Sequence, residues 1–285
     1  MQNPYFSIIV VCLNPGEKLN KTIESVLNQT YLDYELLIKD GGSSDDSLVK
    51  LKELPAVKRL LESTGSSESS IHMPQLRIVE ERDSGIYDAM NGALSHARGK
   101  YVIFLNCGDI FSDTEVLFES AALMKEAPNS KIYYGNIREQ LTGQVVSSNP
   151  SLNAFGCYRN VPCHQACIYE RELILKHPFE LKYRVRADYE QFLWCFFKGE
   201  AAPDYLGRLI CDYEGGGFSE TKENRRISEK EHKVIIKKYI PFYQRVLFKA
   251  IMVVTLAPLR TAMAKNPKSA YVYNRIKSCL YKGKR

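Results

Sequence analysis

The sequence predicts an α/β fold: a mostly parallel sheet flanked by helices, followed by a basic amphipathic helical extension. Three observations carry this reading. Short apolar runs alternate with segments of helical spacing through the first 125 residues, the order that builds a parallel sheet covered on both faces. Apolar residues make up 45% of the 285-residue chain and charged residues 25%, which excludes disorder and fits one large domain with an appendage. Charge is unevenly placed: Lys222 to Arg285 holds 17 Lys and Arg against 3 Asp and Glu, a net +14, and the 221 residues before it carry −8.

Phe6-Ser-Ile-Ile-Val-Val-Cys-Leu13 is nearly all apolar and rich in β-branched residues, so it predicts a central strand buried on both faces. Leu19, Ile23, Val26 and Leu27 then fall at helical spacing, with Glu17 four residues before Lys21. Tyr34 to Lys39 reads as the second strand, ending in Asp40-Gly-Gly-Ser-Ser-Asp-Asp-Ser47. A long connection containing Gly65-Ser-Ser-Glu-Ser-Ser70 reads as a surface insertion before the third strand, Leu76 to Glu80. Ile86, Met90, Leu94 and Ala97 mark a helix stopped by Gly99, and Tyr101 to Leu105 the fourth strand. Ser112-Asp-Thr-Glu115 reads as a capping box for the helix carrying Val116, Leu117 and Leu123.

Residues 126–218 continue with shorter strands and two helices, one of them containing Asp188 to Phe197, where Trp194 sits among core-type residues. Thr221 to Tyr239 is charged and helical in pattern. Phe242, Tyr243, Val246, Leu247, Ala250, Ile251, Val253, Val254 and Ala257 form a broad apolar face beside Arg245 and Lys249. Lys249 interrupts this stretch and Pro258 ends it, so a helix lying in a membrane interface fits better than a span; packing on the catalytic domain is the alternative. The eight cysteines are scattered and several lie in apolar runs, which fits reduced thiols in a cytosolic protein. No basic segment precedes the first strand, so a secretory signal is not expected.

Ligands of open parallel sheets bind beyond the carboxyl ends of the strands. Those ends carry Asn14, then Asp40, then Glu81-Arg82-Asp83-Ser84-Gly85, then Asn106-Cys-Gly-Asp109. Carboxylates, a basic residue and glycines on one edge suit a nucleotide, whose diphosphate a cation can neutralise. The chain has neither G-x-G-x-x-G after the first strand nor G-x-x-x-x-G-K-[ST], which argues against dinucleotide oxidoreductases and P-loop enzymes. Cys163-His-Gln-Ala-Cys167 lacks the second ligand cluster that a zinc site needs.

Ser7-Ile-Ile-Val with Asn14, Ser25-Val-Leu-Asn-Gln-Thr30, Glu35-Leu-Leu-Ile-Lys-Asp-Gly-Gly-Ser43 and Gly99-Lys-Tyr-Val-Ile-Phe-Leu-Asn106 resemble the family 2 inverting glycosyltransferases of the GT-A fold. Asp83-Ser-Gly-Ile-Tyr-Asp-Ala-Met-Asn91, His164-Gln165-Ala166 and Ala187-Asp188-Tyr189 are similar to the branch that assembles bacterial exopolysaccharides, capsules and O-antigens. The likeness spans roughly residues 5–220. It implies inverting hexosyl transfer from a nucleotide-sugar, with UDP the expected nucleotide, to a saccharide or lipid-linked saccharide. Asp40 would bind the base and Asp188 would be the general base, with Glu190 its nearest substitute. Asn14, Arg82, Asp83, Tyr87, Asp88, Asn106 and His164 would join Asp40 around the donor. The family's D-x-D element holds a divalent cation, Mg²⁺ or Mn²⁺. Here Asn106 and Gly108 stand in its place, which leaves Asp109 as the expected ligand. Gly215-Gly-Gly-Phe-Ser219 resembles a late loop of the family near the donor.

Residues 1–220 are thus expected to be the catalytic domain and 221–285 a tail that meets an anionic membrane surface. The expected location is the cytoplasmic face of the cell membrane, with attachment peripheral. Nucleic acid is not an expected partner, because no recognition motif accompanies the tail. Two other readings stand beside this one: a non-catalytic nucleotide-binding scaffold of an assembly complex, and a sugar-phosphate nucleotidyltransferase.

Overall fold

The computed structural model describes residues 3–63, 74–215, 221–255, 271–273 and 275–276. The first half runs β1 (Phe6–Cys12), α1 (Lys18–Leu27), β2 (Tyr34–Asp40), α2 (Ser47–Glu53), α3 (Pro55–Ser63), β3 (Gln75–Glu80), α4 (Ile86–His96) and β4 (Tyr101–Phe104). Next come β5 (Ile110–Phe111), α5 (Val116–Met124), β6 (Ile132–Glu139), β7 (Val145–Val146), α6 (Ala154–Arg159), a 3₁₀ turn (His164–Ala166), β8 (Cys167–Glu170) and α7 (Arg171–Leu175). The chain then continues through α8 (Ala187–Phe197), β9 (Pro203–Tyr213), α9 (Lys222–Tyr239) and α10 (Phe242–Val254).

One sheet takes the order β3-β2-β1-β4-β8-β6-β9-β5, with β7 beside β6. The four strands read from the sequence are mutually parallel, so their carboxyl ends share one edge. Every residue of β1 and β2 is buried. Phe6, Ile8 and Val10 face one core with α1, α2, α3 and α5, while Ile9 and Val11 face a second with α4, α8, α9 and α10. This double burial is why the strands read as continuous apolar runs.

At the opposite edge, a buried Glu35 carboxylate accepts from Ser7 Oγ at 2.6 Å, Arg98 N at 2.5 Å and Gly99 N at 3.1 Å. A side chain on Gly99 would meet Ser7 N at 2.5 Å, so only glycine lets the turn before β4 approach β1. The strand order is therefore fixed away from the site by polar bonds, and at the site by the loops.

Several details differ from expectation. The connection after α2 carries an added helix, α3, and the Gly65–Ser70 insertion lies outside the described residues. The described residues between 126 and 215 hold three α-helices rather than two. Ser112 does not cap α5, which starts at Val116: Ser112 Oγ donates to Leu209 O at 2.9 Å, and Asp113 accepts from Glu115 N at 2.8 Å instead. The sheet edge competes for that hydroxyl and wins. Trp194 is half-buried and stacks on His177 at 4.7 Å.

Helix α9 is fastened to α8 through a buried charge cluster. Glu190, fully buried, accepts from Lys238 Nζ at 2.6 Å and from Tyr239 Oη, and faces His177 Nε2 at 2.9 Å. Burial works to raise this carboxyl, but His177, Lys238 and Tyr239 outweigh it and hold it down at about 2. Because its folded value lies below the ordinary 4.5, the resulting stability is full above the unfolded value and is lost as pH falls from 4.5 through about 2. Chemical unfolding of wild type and Glu190→Gln between those pH values checks this. Wild type should lose stability on acidification that the variant has already lost, and at neutral pH the variant should be about 3–5 kcal/mol less stable.

Candidate active site

The loops after β1 and β2 are bound to each other. Asn14, in a left-handed conformation with φ 47°, accepts from Ser44 N at 2.8 Å through Oδ1, and its own N donates to Ser43 Oγ at 2.8 Å. Asp40 is turned into its own loop. Oδ2 accepts from Gly42 N at 2.9 Å and Ser43 N at 2.8 Å, and Oδ1 accepts from Ser43 Oγ. The Asp40 carboxylate therefore shapes this wall. Arg82 is exposed next to Gly42. Asp83 faces the buried Lys39 Nζ at 3.4 Å and accepts from Gly85 N at 3.1 Å. Asp88, in the first turn of α4, accepts from both Ser84 N and Ser84 Oγ at 2.8 Å.

The centre of the edge is the turn after β4. Asp109, 3% exposed, accepts from Gln165 Nε2 at 2.8 Å through one oxygen and from Glu214 N at 2.8 Å through the other. Burial pushes its carboxyl up against those two bonds, a condition that a bound cation would relieve. Asn106 Oδ1 is buried without a partner. Gly108 takes φ 100°, and any side chain there would run into Glu214 Oε2, so glycine lets that carboxylate approach. Glu214 also pairs with Lys18 Nζ at 2.6 Å. Asn106 Oδ1, without a partner, and the carboxylates of Asp109 and Glu214, partnered by Gln165, the Glu214 N–H and Lys18, are oxygen donors of the kind that Mg²⁺ or Mn²⁺ takes. Among the described residues His177, Glu180 and Glu190 also cluster, but Lys238 Nζ already lies 2.5 Å from Glu180 and 2.6 Å from Glu190.

Asp188 lies in the first turn of α8. Its Oδ1 accepts from Tyr87 Oη at 3.0 Å, and Oδ2 lies 3.5 Å from His164 Nδ1. Burial works to raise this carboxyl, yet the bond and charge of His164, with Tyr87, hold it below the usual range. Burial, then the Asp188 charge, pushes the Tyr87 hydroxyl well above its ordinary value, so it stays a donor. His164 Nε2 is buried without a partner. Gln165 links the two halves, because it holds Asp109 while its neighbour His164 faces Asp188.

Asp40 Oδ1 accepts from Cys12 Sγ at 3.7 Å, across the parallel pair of β1 and β2. Burial pushes the Cys107 and Cys163 thiols up to about 12, so neither is a thiolate nucleophile at neutral pH. Glu214 and Lys18 carry no signal in the sequence, since each matters through a partner far along the chain; Gln165 and Lys39 lie inside the family-like motifs, which assign them no role. Residues 216–219 of the expected late loop lie outside the described residues.

Residues 7–145 match the model of Glycosyl transferase family 2. A PGL/p-HBAD biosynthesis glycosyltransferase of Mycobacterium bovis is 32% identical over 227 residues, which cover 78% of this chain and 81% of the relative. The Escherichia coli UDP-Glc:alpha-D-GlcNAc-diphosphoundecaprenol beta-1,3-glucosyltransferase WfgD is 26% identical over 204 residues, 68% of this chain and 70% of the relative. Among solved structures, S. aureus TarS 1-349 in complex with UDP superposes with TM-score 0.59 at 18% identity; the match covers 83% of this chain and 66%, just under two thirds, of that longer one. The mannosyltransferase PcManGT of Pyrobaculum calidifontis, with GDP-Man and Mn²⁺, gives TM-score 0.57 at 14% identity over 99% of this chain and 88% of its own. The strand order, the acidic carboxyl edge and these likenesses agree: the chain belongs to glycosyl transferase family 2.

Proposed function

We propose that this chain transfers a sugar with inversion from a UDP-sugar to a hydroxyl of a lipid-linked saccharide, at the inner face of the cell membrane, in cell-surface polysaccharide assembly. The observation that carries the proposal is Asp188, a carboxylate kept ionised by His164 and Tyr87, with His164 next in sequence to the Gln165 that holds Asp109. An acceptor oxygen attacks the anomeric carbon in line as the bond to the diphosphate breaks, and Asp188 takes the hydroxyl proton; a single displacement inverts the centre. His164 Nε2, buried and unpartnered, is placed to donate to the diphosphate or the acceptor. Asn106, Asp109 and Glu214 would hold Mg²⁺ or Mn²⁺, which supplies positive charge to the departing diphosphate. Asn14, Asp40, Asp83 and Asp88 form the nucleotide wall, Arg82 meets the nucleotide from its rim, and Tyr87 orients the base. WfgD's UDP-Glc and TarS's UDP support the uridine nucleotide, and PcManGT's Mn²⁺ supports the cation.

Lipid linkage is favoured by WfgD's diphosphoundecaprenol acceptor and by this chain's own extension. No helix of the described residues is long and apolar enough to cross a membrane. On α10, Phe242, Tyr243, Val246, Leu247, Val253 and Val254 are exposed at helical spacing, while Phe248 alone is buried, against Phe155 and Tyr158. That one anchor is worth about 1.5–3 kcal/mol. The outward face of α9 adds Lys222, Arg225, Arg226, Lys230, Lys233 and Lys237, all exposed, each worth about 1 kcal/mol near an anionic surface. Residues 1–220 are thus the catalytic portion and 221–285 the membrane-binding extension, a division of labour within helices that share one core.

Asp188→Asn should lower transfer about 10²–10⁴-fold with UDP affinity nearly unchanged, measured by steady-state kinetics and calorimetry. An active variant rejects the base, and a wild type inert toward every nucleotide-sugar favours the scaffold reading. In co-sedimentation, the full chain should bind phosphatidylglycerol vesicles and not phosphatidylcholine ones, with binding weakened by salt. Val246→Asp with Leu247→Asp should abolish that binding and leave thermal stability intact.

A further inference from the structure

We propose that Glu231, on α9, is a positioning residue for Asp188, so that the helix entering the membrane-binding extension also sets the geometry of proton removal. The proposal rests on the reading of Asp188 as the base. The amino end of a helix leaves backbone N–H groups without intrahelical partners, and a nearby side chain usually caps them. At α8 the cap residue, Arg186, makes no such bond. A carboxylate 45 residues further along instead holds the turn that leads into α8. Glu231 Oε1 accepts from Arg184 N at 2.7 Å, and Oε2 accepts from Val185 N at 3.1 Å and Arg186 N at 2.9 Å.

These three residues lead directly into Ala187 and Asp188. Val185 O, in the middle of the turn, lies 2.8 Å from Tyr87 Oη, and the same hydroxyl lies 3.0 Å from Asp188 Oδ1. Carboxylate, turn, tyrosine and base are one connected set. The neighbours of Glu231 on α9 serve the same purpose: Ser228 Oγ accepts from Arg186 Nε at 2.7 Å, and His232 packs on Tyr189 with ring centroids 5.1 Å apart. Ser228, Glu231, His232 and the buried Ile235 recur at helical spacing, so this face of α9 is shaped to hold the start of α8. Glu231 thus holds the three residues that enter α8, and through them the place of Asp188. The donor wall, built from the loops after β1 to β4, has no part in this contact.

The test uses the full chain with UDP-sugar and acceptor. Glu231→Gln keeps shape and loses the charge that three N–H groups share; kcat should fall about 10–100-fold while the Kd for UDP moves by less than about twofold. Lys238→Met, at the other end of α9, should lower Tm with kcat unchanged, because it loosens the helix without touching the turn. If Glu231→Gln does not fold, Glu231→Asp carries the same kcat-against-Kd comparison. A wild-type kcat in Glu231→Gln, or an equal kcat loss in Lys238→Met, overturns the positioning role while an inactive Asp188→Asn leaves the base standing. An active Asp188→Asn overturns both.

Discussion

The clasp on Asp109 is the contact on which the site depends. Its partners Gln165 and Glu214 lie 56 and 105 residues further along the chain, and one buried carboxylate draws both to the end of β4. Through Gln165 it fixes the turn that carries His164, and through Glu214 it closes β9 over Gly108. A buried carboxylate bonded to only two neutral donors is costly to keep ionised, and burial does push the Asp109 carboxyl up.

Two kinds of buried charge divide the molecule. Glu190 is surrounded by Lys238, Tyr239 and His177, so its charge is answered within the protein and serves to hold α9. Around Asp109 and His164, Asn106 Oδ1 and His164 Nε2 are left without partners. The Glu190 charge is met by a lysine, the Asp109 charge by neutral donors alone.

Much of the frame was legible in the sequence. The apolar runs from Phe6 and Tyr34 predict strands buried on both faces because a parallel sheet with helices on each side demands that pattern, and β1 and β2 show it. Asp188 was readable at the start of a helix through the family resemblance, and α8 begins at Ala187. What stayed hidden is the set of bonds between distant segments. Glu231 and Glu214 sit in ordinary local contexts, Gln165 and Lys39 inside family-like motifs, and nothing in periodicity or spacing says which backbone or carboxylate each will meet. Asp40 shows the same limit from the other side: its place at the end of β2 is legible, but the turn of its carboxylate into residues 42–43 is not. Ser112 matched a capping pattern, and the neighbouring strand took the hydroxyl instead.

Diffraction from crystals soaked with UDP and Mn²⁺, recorded at the manganese edge, tests the central claim most directly. The account predicts an anomalous peak beside Asp109, with the diphosphate between it and His164 and with Asp188 facing the open side. A peak among His177, Glu180 and Glu190, or UDP bound away from the Asp109 edge, would contradict it.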